Sequence, residues 1–208
     1  MAKNLDSTCK KCRREGAKLF LKGEKCNSPK CPVLKRNYPP GAHGPKGNKR
    51  STEYGQQLRE KQKAKKIYAI LERQFRNYYR KAIRQKGDTG EILRQMLELR
   101  FDNVVYRSGL VSSRAMARQL ISHGFFFIKG KKVNIPSYQM KPKDEITINP
   151  NKSKAKAFAG LDLEKQDNII SWLFVSKPEM KIKIVSKPTA EDFDQSFNPR
   201  LIVEFYSR

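Results

Sequence analysis

The chain has 208 residues, of which 45 are Lys or Arg and 20 are Asp or Glu, a formal net charge of +25 at pH 7. Its apolar runs end after a few residues, as at Phe125–Ile128. A membrane span needs about 20, and the opening Met-Ala-Lys-Asn has neither the apolar stretch nor the cleavage site of a secretion signal, so a cytoplasmic chain is expected. Length fits one or two domains, the aliphatic and Phe content suffices for a packed core, and the surplus charge requires a polyanion, nucleic acid ahead of an anionic membrane surface.

The charge is graded. Residues 1–50 carry 14 basic and 3 acidic side chains, while residues 151–208 carry 10 and 8. Large apolar residues run the other way, with only 7 Leu, Ile, Val or Phe in the first 60 positions. That segment cannot bury much core and needs a metal, a partner, or both to be ordered. All four cysteines fall within it: Cys9, Cys12, Cys26 and Cys31. The spacing, C-x2-C followed by C-x4-C across a short loop, matches tetrahedral four-cysteine metal sites. Disulfides would fit a secreted chain, which nothing here signals. Zinc is preferred and an iron–sulfur cluster is the alternative, since four thiolates suit both. Four protein ligands leave no open position on zinc, so the role is structural. Lys10, Lys11, Arg13, Arg14, Lys25 and Lys30 would lower the thiol pKa values and offset the charge of four thiolates.

Residues 36–50, rich in Pro and Gly, read as an extended linker. His43 within it is a candidate RNA contact, too far from Cys31 to be a favoured ligand. A helical period runs from Leu58 to Lys86 through Ile67, Leu71, Phe75, Tyr78 and Ala82, with Gly87 as a stop. Tyr54, Tyr68, Phe75, Tyr78 and Tyr79 interleave with Lys and Arg; those on the apolar stripe read as core, and the pattern also suits stacking on unpaired bases. Thr89 is the expected cap of a second helix carrying Ile92, Leu93, Met96 and Leu97, and a short third helix runs from near Asp102 to Gly109.

Residues 111–124 are a marked helix with Ser112 as N-cap, Gly124 just past the end, and Val111 packing on Met116. Arg114 and Arg118 lie one turn apart, beside Gln119 and Ser122, with Ala115, Met116, Leu120 and Ile121 on the buried side. His123 sits at the C-terminal end, where the helix dipole favours a cation. Phe125–Ile128 and Lys132–Ile135 flank a hairpin turn, Lys129-Gly130-Lys131, whose lysines extend the basic surface. Ser137–Met140, Glu145–Ile148, 172–175 and the alternating Lys181–Val185 read as strands, and 152–170 includes a helix. No Gly-rich phosphate loop and no acid/base constellation is present, so an RNA-modifying enzyme is disfavoured, and the absence of a His pair excludes a two-Cys, two-His finger.

The motifs together carry a family resemblance. C-x2-C-R-R-E-G from Cys9, K-L-x-L-K-G-E-K-C from Lys18, S-P-K-C from Ser28, Y-P-P-G-x-H-G from Tyr38, L-R-E-K-Q-K from Leu58, E-R-Q-F from Glu72, D-N-V-V-Y-R from Asp102 and the closing V-E-F-Y-S-R are all similar to the bacterial small-subunit ribosomal proteins of the S-four family. The chain resembles the cysteine-bearing form over nearly its full length, and residues from about 97 to 148 resemble the family's RNA-binding module. The departures are Phe101 for Leu, Ala69 for Gly, Phe125 for His, and Lys129 for Asn before the hairpin glycine.

The resemblance implies an α+β protein with no catalytic activity. It would have a four-cysteine metal arm and linker (1–45), a helical rRNA-binding domain (46–96) rejoined by segment 187–208, and an inserted S-four-like domain (97–186) with helices on a small, mostly antiparallel sheet. It implies primary binding of 16S rRNA at the junction of its five-prime domain, nucleation of the subunit body, and an influence on decoding accuracy near where mRNA enters. Ribosomal proteins three and five would be neighbours, and some members repress their own mRNA. The module's pattern carries over Arg100, Arg107, Arg114, Arg118, Gln119 and His123 as rRNA contacts. The basic arm and helices add Arg13, Arg14, Lys22, His43, Arg50, Arg59, Lys61, Lys63, Lys66, Arg73 and Arg76, and the hairpin adds Lys131.

Overall fold

The computed structural model describes residues 6–46, 51–152, 158, 170–176 and 180–208. Its helices are α1 (Thr8–Glu15), α2 (Glu24–Asn27), α3 (Pro32–Lys35), α4 (Glu53–Ile67), α5 (Glu72–Ile83), α6 (Thr89–Glu98), α7 (Phe101–Arg107), α8 (Arg114–Ser122) and α9 (Pro199–Ser207). The strands are β1 (Phe126–Ile128), β2 (Lys131–Lys132), β3 (Glu145–Ile148), β4 (Leu173–Ser176) and β5 (Lys181–Ile184). The chain divides into two compact units, one of Met1–Arg94 with Asp194–Arg208 and one of Gln95–Phe193. The helix expected within 152–170 falls largely outside the described residues.

In the first unit the long helix expected from Leu58 to Lys86 is two helices. Ala69 adopts a left-handed backbone (φ 51°), and the chain turns between Tyr68 and Leu71. The Thr52 hydroxyl accepts from the Gly55 amide and caps α4. The cap of α6 is Asp88, not Thr89: its Oδ1 accepts from the amides of Gly90 and Glu91. The linker expected to run extended is turned, with the Gly44 amide donating to the Gly41 carbonyl. A Cβ at Gly44 would lie 1.9 Å from the Pro39 oxygen, so only glycine fits there.

Helix α9 lies along α4, and Phe75, Tyr78, Tyr79 and Ala82 of α5 are buried. Tyr79 stacks on Tyr206 with centroids 4.5 Å apart. The base reading of these aromatics therefore gives way to a core one, Tyr54 excepted, which is half exposed beside Phe205. Glu72 is the polar centre of this packing. It accepts from Lys61 at 3.0 Å, Lys65 at 2.6 Å and the Tyr206 hydroxyl at 2.7 Å. Burial alone would raise the Glu72 carboxyl, but hydrogen bonds from Lys65, Tyr206 and Lys61 outweigh it and hold it at about 2, against 4.5. Burial and the bond to Glu72 push the Tyr206 phenol far above its ordinary value.

In the second unit all sheet pairings are antiparallel, in the order β2-β1-β3-β5-β4. Phe126, Ile128, Ile146, Ile148, Ile182 and Ile184 alternate onto one face and join Phe101, Val104, Val105, Ala117 and Ile121 of α7 and α8 in one core. Each of the Phe, Ile and Val side chains contributes about 1.5–3 kcal/mol of burial. Segment 137–140, expected as a strand, makes only an isolated bridge between Gln139 and Arg100. The second hairpin strand is short, Lys131–Lys132. Gly124, as expected, follows α8; its φ of 67° favours glycine, and the Lys132 side chain lies over it.

The Glu72 cluster yields a pH prediction. A carboxyl held below its unfolded value adds stability that is complete above about pH 4.5 and is lost as pH falls toward 2. The side chain is 44% exposed, so solvent screening keeps the effect small. Glu72→Gln is expected to lower the thermal midpoint by about 2 °C at pH 7. The gap to the parent should close between pH 4.5 and 2; a gap that stays constant across that range would refute this role.

Candidate nucleic-acid interface

The cations on α7, α8 and the preceding turn are set by a buried polar network. Glu98, its side chain fully buried, accepts from Arg107 Nε at 3.0 Å and Nη2 at 2.8 Å, and from Asn103 Nδ2 at 2.6 Å. Asn103 Oδ1 then accepts from Arg114 Nε at 2.8 Å, and the Arg114 guanidinium lies 4.5 Å above the Tyr106 ring. Asp102 takes a two-bond fork from Arg100, at 3.0 and 2.8 Å, and pairs with Arg118 at 3.7 Å. Bidentate, charge-assisted bonds of this kind fix planar guanidinium groups in orientation.

This placement revises the expected contacts. Arg100 is fully buried and Arg114 nearly so, so both act from beneath the surface. Arg107 and Arg118 are half-buried. The buried side of α8 is Ala117, Leu120 and Ile121 together with Arg114, while Ala115, assigned to it from sequence, is exposed. Ser113, not Ser112, caps α8, accepting from the Met116 amide at 3.3 Å. The outward residues are Gln119, Ser122 and His123, continued by Lys129, Lys131 and Lys132 at the hairpin. Lys152 joins them, donating to the His123 carbonyl at 2.6 Å with its ammonium over the Phe125 ring.

In the first unit Arg73 and Arg76 project from α5 and are exposed, as are Arg14, Lys22 and His43. Lys61 is buried against Glu72 and the Phe205 ring, which removes it from the surface. Lys66 and Arg59 pair with the buried carboxylate of Glu15, and Lys63 pairs with Glu60. Arg13 donates to the carbonyls of Arg36, Tyr38 and Pro39 and stacks on the Tyr38 ring, so it ties α1 to the linker. Arg50 lies outside the described residues. Sequence reasoning overlooked the carboxylates Glu98, Asp102 and Glu15; their signal was acidic residues isolated in a basic chain.

Cys12, Cys26 and Cys31 are buried, Cys9 is half-buried, and no disulfide joins any two of them. Burial pushes the Cys12 thiol up, against the lowering expected from neighbouring lysines; the Leu19 amide opposes the rise and the three other cysteines add to it. The Lys22 amide donates to Cys26 Sγ at 3.3 Å. Among the described residues no group of three or more His, Cys, Asp or Glu side chains is arranged to hold a metal ion.

The buried network generates a stability prediction. Asp102→Ala strips Arg100 of its forked carboxylate, and breaking a buried pair from one side costs about 3–5 kcal/mol. Urea unfolding of the full chain should show a loss of that order; a loss below about 1 kcal/mol would show the pair to be dispensable.

Residues 3–98 match the ribosomal protein S4/S9 N-terminal domain family, and residues 99–146 match the S4 domain. Over the full length of both chains, the sequence is 48% identical to small ribosomal subunit protein uS4 of Nitrosospira multiformis. It is likewise 50% identical to uS4A of Clostridium botulinum and 49% identical to uS4 of Acidobacterium capsulatum. With its helical unit, its antiparallel module and these full-length relatives, the chain belongs to the uS4 family of small-ribosomal-subunit proteins.

Proposed function

We propose that the protein is a non-enzymatic structural constituent of the small ribosomal subunit that binds rRNA, working in the cytoplasm as part of the ribosome. The observation that carries this reading is the full-length likeness to uS4 proteins, in a chain of net charge +25. In finer detail, it binds 16S rRNA at the five-prime domain junction and nucleates the subunit body. It lies beside ribosomal proteins three and five and contributes to decoding accuracy near where mRNA enters.

The RNA surface on the second unit is built in two layers. Glu98, Asp102 and Asn103 orient Arg107, Arg114 and Arg118 from beneath. Gln119, His123 and Lys131 are exposed above them to meet phosphate and groove. Recognition would be capture by cations followed by a fit to the shape of a folded junction. On the first unit Arg14, Lys22, His43, Arg73 and Arg76 are exposed to contribute in the same way.

We further infer that Cys9, Cys12, Cys26 and Cys31 hold a structural metal, zinc in preference to an iron–sulfur cluster. What supports this reading is the donor chemistry: four cysteines in two close pairs, three of them buried, with the Lys22 amide donating to Cys26 Sγ. The ion would supply a closed cross-link in a segment too poor in apolar residues to make a core.

Two measurements test these readings. Affinity of the full chain for small-subunit rRNA should fall at least about a hundredfold between 50 and 200 mM salt, and Lys131→Ala should reduce the salt slope by about one. Binding that ignores salt would overturn the first reading. Metal content of protein purified with and without oxygen should approach one equivalent of zinc; less than half an equivalent of either metal would overturn the second.

A further inference from the structure

The sheet of the second unit has a face that the α7–α8 interface does not use. Its side chains follow from the register. Phe127 pairs with Thr147, Thr147 with Lys181, and Lys181 with Ser176. In the neighbouring row Glu145 pairs with Lys183, and Lys183 with Phe174. The residues alternating with these, Phe126, Ile128, Ile146, Ile182 and Ile184, are all in the core, so these rows form the opposite surface. Phe174 is 56% exposed there, and Lys181 and Lys183 are exposed as well. Phe127 is half-buried on the same face.

An aromatic ring on a pleated surface, with an ammonium directly across the strand, offers a π-face for a base and a cation for its phosphate. Among the described residues, Lys181 and Lys183 against one Glu145 make the face cationic, which favours a polyanion over an apolar protein surface. Strands lie about 4.8 Å apart, so β1 to β4 spans about 14 Å, enough for a short run of unpaired nucleotides crossing the strands. From this we propose that the open sheet face, centred on Phe174 and Lys183, is a second RNA-binding surface that takes single-stranded RNA. The second unit would then hold two RNA segments at once, a folded one on α8 and its hairpin and an unpaired one on the opposite side of the sheet. The proposal adds to the ribosomal reading and does not depend on the residues that carry it.

The test uses the full chain with a fluorescent oligouridylate of about ten nucleotides and, in parallel, folded small-subunit rRNA. Phe174→Ala is expected to weaken oligouridylate binding about tenfold, within the range for losing one stacked base. Phe174→Trp should restore it, and Lys183→Gln should lower its salt slope by about one. Iodouridine photocrosslinks should map to peptide 172–185. Phe174 is exposed, so its variants should keep the parent's thermal midpoint, and that measurement separates lost binding from lost fold. Unchanged affinity in both Phe174→Ala and Lys183→Gln, or crosslinks confined to α8 and the hairpin, would overturn the proposal. So would variants that bind oligouridylate normally but fail to enter reconstituted subunits, which would assign the face to a protein neighbour. A parent chain that binds folded rRNA but not oligouridylate defeats this inference alone; one that binds neither defeats the ribosomal reading too.

Discussion

A chain with more than two cations for every anion folds around its few carboxylates, which hold most of the cations that go inside. This scarcity governs the structure. Glu72 serves Lys61 and Lys65, Glu15 serves Lys66 and Arg59, Asp102 serves Arg100 and Arg118, and Glu98 serves Arg107 with Asn103. Each of these acids takes at least two donors, and three of the four side chains are almost fully buried. An isolated buried cation would cost several kcal/mol, so these acids, with Asn103 for Arg114, decide which basic residues belong to the interior. The remaining cations stay in solvent, and there they repel one another until a polyanion arrives.

That division was only half legible in the sequence. The helical period located α5, α6 and α8, and the alternating Lys-Ile-Lys-Ile of β5 placed its lysines and isoleucines on opposite faces. Periodicity could not tell an interior arginine from an exposed one. Arg114 and Arg118 share one helical face, but the carboxamide of Asn103 and the ring of Tyr106 draw Arg114 inward. Those partners come from α7, and only tertiary packing brings them near. The cap at Ser113 rather than Ser112 has a local cause: both serines suit the position, and one residue of phase decides which amide is reached. The four-cysteine spacing was readable from the first 31 residues, but whether the thiols close on an ion depends on the ion itself.

The departures from the family pattern show the same interplay of local and tertiary forces. Ala69 stands where Gly is common and Lys129 where Asn is frequent, and both adopt left-handed backbone, with φ of 51° and 48°. Gly and Asn enter that region readily, while Ala and Lys pay about 1 kcal/mol. At Lys129 an ion pair to the buried Asp144 carboxylate offsets the strain. At Ala69 the flanking Tyr68 and Ile70 are buried, so packing on both sides of the turn holds it. The apolar continuity of Ile67, Tyr68, Ile70 and Leu71 is also why the sequence read as one helix: every residue of the turn but Ala69 looks like helix core, and alanine is the best helix former.

Phe125 and Phe101 extend this logic toward the RNA surface. Phe125 stands where a second histidine is frequent, and its ring packs on Phe158 while carrying the ammonium of Lys152 on its face. Lys152 in turn donates to the carbonyl of His123 at the end of α8. A polar, titratable position is thereby replaced by an apolar platform that holds a permanent cation at the helix C-terminus, where the dipole favours one. Phe101 fills the core edge-on to Phe126, directly beneath β1. The larger ring in place of Leu braces the strand that leads into the lysine-bearing hairpin and carries Phe127 on its far face. The positive charge that opens the sequence is therefore displayed by a frame whose rigidity comes from its few carboxylates and its aromatic core.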